Sequence, residues 1–272
     1  MDARRIGLLA VAGVLFIGSL GASVATAQTS IVPSPAGPIQ LPDISTPANF
    51  GAAMQVIILL TVLSLAPSIL IMMTSFTRIV IVLSLLRQAM GTQQLPPNQI
   101  IIGLSLFMTF LVMGPTWQKV NETALQPYLN GQMEQRVALE KAQIPLRDFM
   151  IGQIEQAGNE DGVYMFHDFA HANDTPEQKL KAANPTWADI STMTLIPSFM
   201  LSELKTAFIM GFKIYLPFLI IDMVISAILI SMGMMMLPPV LISLPFKLLL
   251  FVLVDGWRLI TSSLMGSFTL TG

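Results

Sequence analysis

Long apolar runs separated by short polar segments dominate the pattern of this chain. A helix needs about 20 consecutive apolar residues to cross a bilayer, and several runs are of this length. The candidate spans are residues 54–73, which continue after a polar break into residues 79–86, and then residues 100–117, 207–232 and 240–260. The pattern therefore predicts an all-α membrane protein with four apolar spans.

The first 27 residues have the organisation of a secretory signal peptide. Arg4 and Arg5 precede an apolar stretch, and Ala25 and Ala27 provide the small side chains of a cleavage site. We expect cleavage after Ala27, and the alternative is an uncleaved first helix. Residues 28–49 then carry five prolines, which predicts an extended segment outside the cytoplasm.

A polar segment, residues 118–194, interrupts the apolar runs. It holds 11 acidic and 6 basic residues, a net charge of −5, with short helical patterns. The loop of residues 74–98 instead holds Arg78 and Arg87 and no acidic residue, so the positive-inside rule places it in the cytoplasm. The acidic segment then lies on the periplasmic side, which agrees with an exported N-terminus.

These signals predict two apolar helical hairpins around an acidic, mostly helical extracytoplasmic domain. The expected divisions are a cleaved signal peptide (1–27), a Pro-rich extended segment (28–49), a first helical hairpin (50–117), the acidic domain (118–195) and a second helical hairpin with a Met-rich loop (196–272).

Composition narrows the chemistry. With 53% hydrophobic and 11% charged residues and a net charge of −2, the chain offers no basic surface for nucleic acid. It has no cysteine and no nucleophile or phosphate-binding motif, so we expect neither an enzyme nor a cofactor. His167 and His171 share a helix face, but no third ligand is recognisable. The pattern favours a solvated helix and predicts no metal site.

Two turns of the chain share the pattern M-G-x-x-x-L-P-P. They occupy residues 90–97 and 232–239, which are 142 residues apart. Each turn predicts a helix that ends near the glycine and a returning segment that begins at the proline pair. The match indicates either an internal parallel repeat or a chance similarity of two hairpin turns.

Charged residues within apolar sequence are costly in lipid and are expected to face protein or water. If the second hairpin turns at Pro238 and Pro239, Asp222 and Asp255 come level across it, and Arg258 can bridge both carboxylates. The residues expected to take part in subunit packing are Glu203, Lys247, Asp222, Asp255, Arg258 and Arg78.

Glu203 and Lys247 lie at different levels of a straight hairpin. This predicts that they pair across a subunit boundary or after a sharp bend at Pro217. Lys205 and Arg258 have an alternative, because long basic side chains also extend to a membrane interface.

Three consecutive methionines, Met234, Met235 and Met236, follow Gly233 in the second turn. Thioether side chains are flexible and apolar, so a ring of such turns would form a compliant collar inside a pore. The alternative is a Met-rich loop buried at a bilayer surface.

Several motifs closely resemble the FliP family of type III protein export. In the first hairpin they are SFTRI (75–79), QAMG (88–91) and QLPPNQ (94–99). In the second half they are IPSF (196–199), SELKTAF (202–208), MMMLPP (234–239), LPFK (244–247) and VDGW (254–257). The resemblance covers approximately residues 52–117 and 197–260.

The resemblance implies a core subunit of a protein export gate in the bacterial inner membrane, at the centre of the flagellar basal body. Several copies would join two smaller membrane proteins, of the FliQ and FliR families, and meet a larger gate protein of the FlhB family. The assembly would pass unfolded substrates through an oligomeric channel. The cleaved signal and the Met triplet favour the flagellar over the injectisome branch. The alternative function is an ion-conducting channel or carrier that uses the intramembrane charges as a relay.

Overall fold

A computed structural model describes residues 47–92, 95–172, 174, 185–234 and 238–268. The expected signal peptide, the cleavage site at Ala27 and nearly all of the Pro-rich segment lie outside these residues. The chain divides into two units, residues 1–58 and 59–272, and all the contacts given below lie within the second unit.

All the regular secondary structure in the described ranges is helical, which confirms the predicted all-α class. The helices are α1 (Pro47–Met72), α2 (Phe76–Ala89), α3 (Asn98–Val120), α4 (Gln126–Leu129), α5 (Gln135–Ala157), α6 (Asp161–Ala170), α7 (Thr192–Ser231), α8 (Pro239–Leu253) and α9 (Gly256–Gly266). A π-helical turn, Asn121–Leu125, joins α3 to α4 without a break.

The 40-residue helix α7 is the central element of the second unit. Ser191 begins it as an N-cap, because its hydroxyl accepts a hydrogen bond from the backbone N–H of Thr194 at 3.2 Å. At about 1.5 Å per residue the helix extends for about 60 Å. Helices α2, α5, α6 and α8 all pack against it, so α7 connects the acidic segment with both apolar hairpins.

The hydrophobic core follows from these packings. Its fully buried members lie at helical spacing on α2, α5 and α7 and are joined by residues of α3 and α9. They are Ile79, Leu83 and Leu86 of α2, Met113 of α3, Met150 and Ile154 of α5, Leu195 and Phe199 of α7, and Leu264 of α9.

The last predicted span, residues 240–260, is broken into α8 and α9, which meet at an angle of 64°. Asp255 adopts a left-handed backbone conformation with φ of 50°. Gly256 follows, and a Cβ there would lie 2.3 Å from the ring of Phe251. Because Asp tolerates this conformation and Gly lacks the clashing atom, the Asp-Gly pair allows a bend that hydrophobicity alone does not predict.

Length and composition support part of the predicted set of four spans. In the described part of the chain, two helices are long and apolar enough to cross a membrane, Asn98–Leu129 and Thr192–Ser231. The bent pair of α8 and α9 makes a third if it counts as one span, and the first predicted run contributes the shorter apolar stretch Met54–Leu65.

Candidate functional site

The Met-bearing turn begins where α7 ends. Gly233 has φ of +77°, a left-handed conformation that favours glycine, and Met234 beyond it is 41% exposed. Pro238 then precedes α8, whose first residue is Pro239. Met235 and Met236 lie outside the described residues. The glycine and the prolines therefore have the turn positions expected for them, and the collar remains a prediction.

The turn of the first hairpin repeats this geometry. Gly91 has φ of +74°, and its N–H donates to the carbonyl of Gln88 at 3.1 Å, as that of Gly233 donates to Ile230 at 3.0 Å. The correspondence continues into the returning helices. Ile101, Ser105 and Thr109 of α3 are buried, as are Ser243, Lys247 and Phe251 of α8, each 142 residues later. Matching backbone and burial support an internal repeat over a chance similarity.

Arg78 of α2 and Glu203 of α7 form an ion pair at the centre of the second unit, with side chains 2% and 0% exposed. Arg78 Nε donates to Oε2 of Glu203 at 2.8 Å, and Nη2 donates to Oε1. Nη2 also donates to the amide oxygen of Gln153 on α5 at 3.2 Å. Nη1 donates to the carbonyl and hydroxyl oxygens of Ser267 at 3.0 and 3.2 Å.

This Arg78 cluster (Arg78, Glu203, Gln153 and Ser267) satisfies every N–H donor of the guanidinium. The ring of Phe268 adds a cation–π contact, with its centroid 4.2 Å from Cζ. The cluster joins α2, α5, α7 and the end of α9. Because a buried charge without partners is very unfavourable, the four segments must hold this arrangement together.

A second cluster contains Lys247, Asp222 and Ser243. Lys247 Nζ donates to Oδ2 of Asp222 at 2.6 Å, and the hydroxyl of Ser243 donates to Oδ1 at 2.5 Å. Nζ also donates to the carbonyl oxygen of Ala89 at 3.3 Å, where the partial negative charge at the end of α2 favours a cation. This Lys247 cluster attaches the second hairpin to the turn of the first, where Gly91 lies beside Nζ.

One predicted charge arrangement needs correction, and a second, the pairing of Glu203 with Lys247 across a subunit boundary, stays a prediction. Asp222 pairs with Lys247 and not with Arg258, and in the described ranges Arg258 forms no ion pair with Asp222 or Asp255. The bend at Asp255 turns α9 away from the straight hairpin on which that prediction depended. Glu203 and Lys247 each have an oppositely charged partner in their own chain, so neither requires a neighbouring subunit to avoid an unpaired charge.

Of the two histidines, His167 of α6 is buried, whereas His171, directly after the helix, is partly exposed. His167 is only 3% exposed, and its Nε2 has no hydrogen-bond partner among the described residues. The ring centroid of His171 lies 4.2 Å from that of His167.

In the turn before α7, the hydroxyl and the N–H of Thr186 donate to Asp189 at 2.6 and 2.9 Å. These hydrogen bonds hold the pKa of the Asp189 carboxyl below its ordinary value of 3.8.

Sequence reasoning missed Gln153, Ser243 and Ser267. Gln153 is 1% exposed and lies on the face of α5 that also buries Phe149, Met150 and Ile154. A polar residue within an apolar stripe at helical spacing is the signal that identifies it. Ser243 precedes Lys247 by one turn on the buried face of α8, which is a similar signal. Ser267 takes part mainly through its backbone carbonyl, which no sequence pattern marks.

Comparison with known proteins adds the family. The family model described as "FliP family" matches residues 59–264. The flagellar biosynthetic protein FliP of Bacillus subtilis (strain 168) is 51% identical over 224 residues, which cover 82% of this chain and 96% of the relative. The protein of that name from Cereibacter sphaeroides is 50% identical over 220 residues, 81% of this chain and 69% of the relative.

The flagellar biosynthetic protein FliP of Aquifex aeolicus (strain VF5) is 48% identical over 220 residues, which cover 81% of this chain and 87% of the relative. The matched region includes all of α2 to α8, both turn glycines, the Lys247 cluster and the Arg78 cluster except Ser267. On this match the chain belongs to the FliP family.

Proposed function

We propose that the chain is a core, pore-forming subunit of the flagellar type III protein export gate. Membership of a family of flagellar biosynthetic proteins carries this proposal and agrees with a structural role in flagellum assembly. In the assembly, several copies join proteins of the FliQ and FliR families and contact one of the FlhB family. The complex lies at the inner membrane in the flagellar basal body, with the acidic segment on the periplasmic side.

The exposed surface of α7 supports an assembled state. Of the 18 consecutive residues that form its most apolar stretch, only 11% are buried inside the chain. Phe212, Ile220 and Met223 are 61%, 59% and 65% exposed. Such a surface is stable only against lipid or against other subunits. A single chain thus leaves the most apolar part of its longest helix largely uncovered, as expected of one part of a larger assembly.

Met234, Met235 and Met236 form the proposed collar that closes the channel. The support is local: Gly233 ends α7 in a left-handed turn, and Met234 after it is exposed. A side chain on a turn projects from the end of a hairpin, where a lumen can receive it. Flexible thioethers then seal the opening at rest and separate around an unfolded chain.

Of the charged residues, Asp255 and Arg258 are the best placed to contact a neighbouring subunit, because both are exposed. Pairing of Glu203 with Lys247 of another copy stays a prediction. Such a pair forms only if Glu203 leaves Arg78 and Lys247 leaves Asp222. An ion relay has less support, because these charges already form ion pairs within the chain. Arg78 pairs with Glu203, and Lys247 pairs with Asp222.

The mass of the complex tests this proposal. The full-length tagged chain is extracted in mild detergent with its co-purifying proteins, and native mass spectrometry gives the stoichiometry. We expect several copies of the chain with two smaller membrane proteins. A lone chain that conducts ions after reconstitution into liposomes would reject the gate and favour the ion channel.

A further inference from the structure

An open groove of about 1070 Å³ runs along one side of α7. The ends of α5 and α8 and one face of α9 form its other walls. Among the described residues, neither Met234 nor the Lys247 cluster lines it. Arg78 lies at its floor, but the guanidinium already has partners for all its donors. Gln153 and Ser267 of the same cluster also line the groove, so it borders the Arg78 cluster.

The lining of the groove changes from polar to apolar along α7. Asn159, Lys205 and Thr206 lie at one end, next to the acidic segment. Phe218 and Phe251, whose ring centroids are 6.4 Å apart, lie at the other end. Thr206 and Phe218 are twelve positions apart on one helix, which corresponds to about 18 Å. A ligand that matches this lining has one polar end and a long apolar portion.

Two lysines without ion-pair partners among the described residues give the groove a positive charge. Lys205 and Lys213 line it, both are exposed, and neither forms an ion pair with a described residue. No acidic side chain is among the described residues that line it. The two lysines are about 12 Å apart along α7. The flexible stem of Lys213 can bring its ammonium group toward the polar end.

We propose that this groove holds an anionic phospholipid. The phosphate binds at Lys205 and Lys213, and an acyl chain lies along α7 against Phe218 and Phe251. The polar end of the groove adjoins the acidic, water-facing segment, which is the level at which a headgroup belongs. An anionic phospholipid carries a phosphate and long apolar chains in one molecule, which matches both ends of this lining.

Lipid retention by the purified complex tests the proposal. The full-length chain and its co-purifying subunits are exchanged into nanodiscs of phosphatidylcholine with a minor fraction of phosphatidylglycerol, and native mass spectrometry counts the lipids retained. We expect preferential retention of phosphatidylglycerol. Its affinity should fall about five-fold for each lysine removed in Lys205→Ala and Lys213→Ala. Lys119→Ala, at the end of α3 and outside the groove, is the matched control and should leave retention unchanged.

A photoreactive side chain introduced at Ser263, an exposed residue of the groove wall, identifies the occupant independently. A crosslink to phospholipid supports the proposal. A crosslink to another protein chain, or equal retention of the two lipids by wild type and by the double lysine variant, would overturn it. Neither readout depends on export, so the result stands apart from the test of the gate.

Discussion

Arg78 and Glu203 are the residues whose partners matter most for the stability of this chain. The formation of a buried ion pair gains little over apolar packing, because both charges must leave water. The loss of one member is costly, because the other charge stays buried without compensation. Arg78 donates five hydrogen bonds to residues of three other segments, which makes this asymmetry large here.

We therefore expect Arg78→Leu to reduce the free energy of unfolding by about 3–5 kcal/mol. The double variant Arg78→Leu, Glu203→Leu should regain most of this loss, since no charge is then left unpaired. Loss of the helical circular dichroism signal of the detergent-solubilised chain on heating or with denaturant measures the effect.

Arg136→Leu is the control for this series. Arg136 and Glu140 pair on the surface of α5 with side chains 90% and 64% exposed, and an exposed pair of this kind contributes about 0.5 kcal/mol or less. If the double leucine variant is no more stable than Arg78→Leu, the unpaired carboxylate is not the cause of the loss.

At the scale of elements, the contact between α2 and α7 depends on a glycine. A Cβ on Gly211 would lie 2.2 Å from Cδ1 and 3.1 Å from Cβ of Leu85. The two helices therefore pack so closely at this point that only glycine, which has no Cβ, fits opposite Leu85. This approach brings Arg78 and Glu203, which lie on the same two helices, within bonding distance.

Gly211→Ala should destabilise the chain by about 1–3 kcal/mol, because Leu85 must move or the helices must separate. The second substitution Leu85→Ala removes Cδ1, the atom 2.2 Å away, and should recover most of the loss at Gly211 in a double-mutant cycle. Gly103→Ala in α3 is the control: a Cβ there meets open space, and it should be neutral or slightly stabilising. Equal effects at Gly211 and Gly103 would contradict close packing of α2 on α7.

For the whole molecule, the decisive surfaces are those that one chain leaves uncovered. The collar prediction belongs to this scale, because three methionines close a pore only when several copies surround it. Met234, Met235 and Met236 changed together to Ala should leave assembly intact, since the helices are unaltered. The resting gate should then conduct small ions, because a wider apolar constriction holds water.

Conductance or small-molecule uptake in cells that make the assembled gate measures this leak. A change of all three methionines to Leu keeps the apolar volume and is the matched control. It should seal at rest and slow substrate passage, because Leu is less flexible. A triple Ala variant as tight as wild type would favour the alternative of a buried loop.

Charge exchange separates contacts within the chain from contacts between chains. Glu203→Lys should lower the amount of folded chain, and Arg78→Glu in the same chain should restore it in part, since the pair is then reversed. If Glu203 meets Lys247 of another copy, Lys247→Glu should instead restore assembly in part. The amounts of folded chain and of complex are measured separately on native gels. If Lys247→Glu does not restore assembly of the Glu203→Lys variant, Glu203 pairs only with Arg78 of its own chain.

Much of this protein is determined by local sequence. Apolar runs at helical periodicity indicate the all-α class. Helices end shortly before Gly91 and Gly233, and the returning helices begin at Asn98 and Pro239, as the glycines and prolines predict. These features depend on the conformations that each residue allows. The family motifs are of the same kind, because they are read from consecutive residues.

Other features were decided only by the tertiary structure. Asp222 pairs with Lys247 because α8 packs back along α7. Glu203 meets Arg78 because Gly211 lets α2 approach α7. These pairings are 25 and 125 residues apart in sequence. Each charge had several possible partners in the sequence. The angles and distances between packed helices selected one of them, and sequence periodicity does not contain that information.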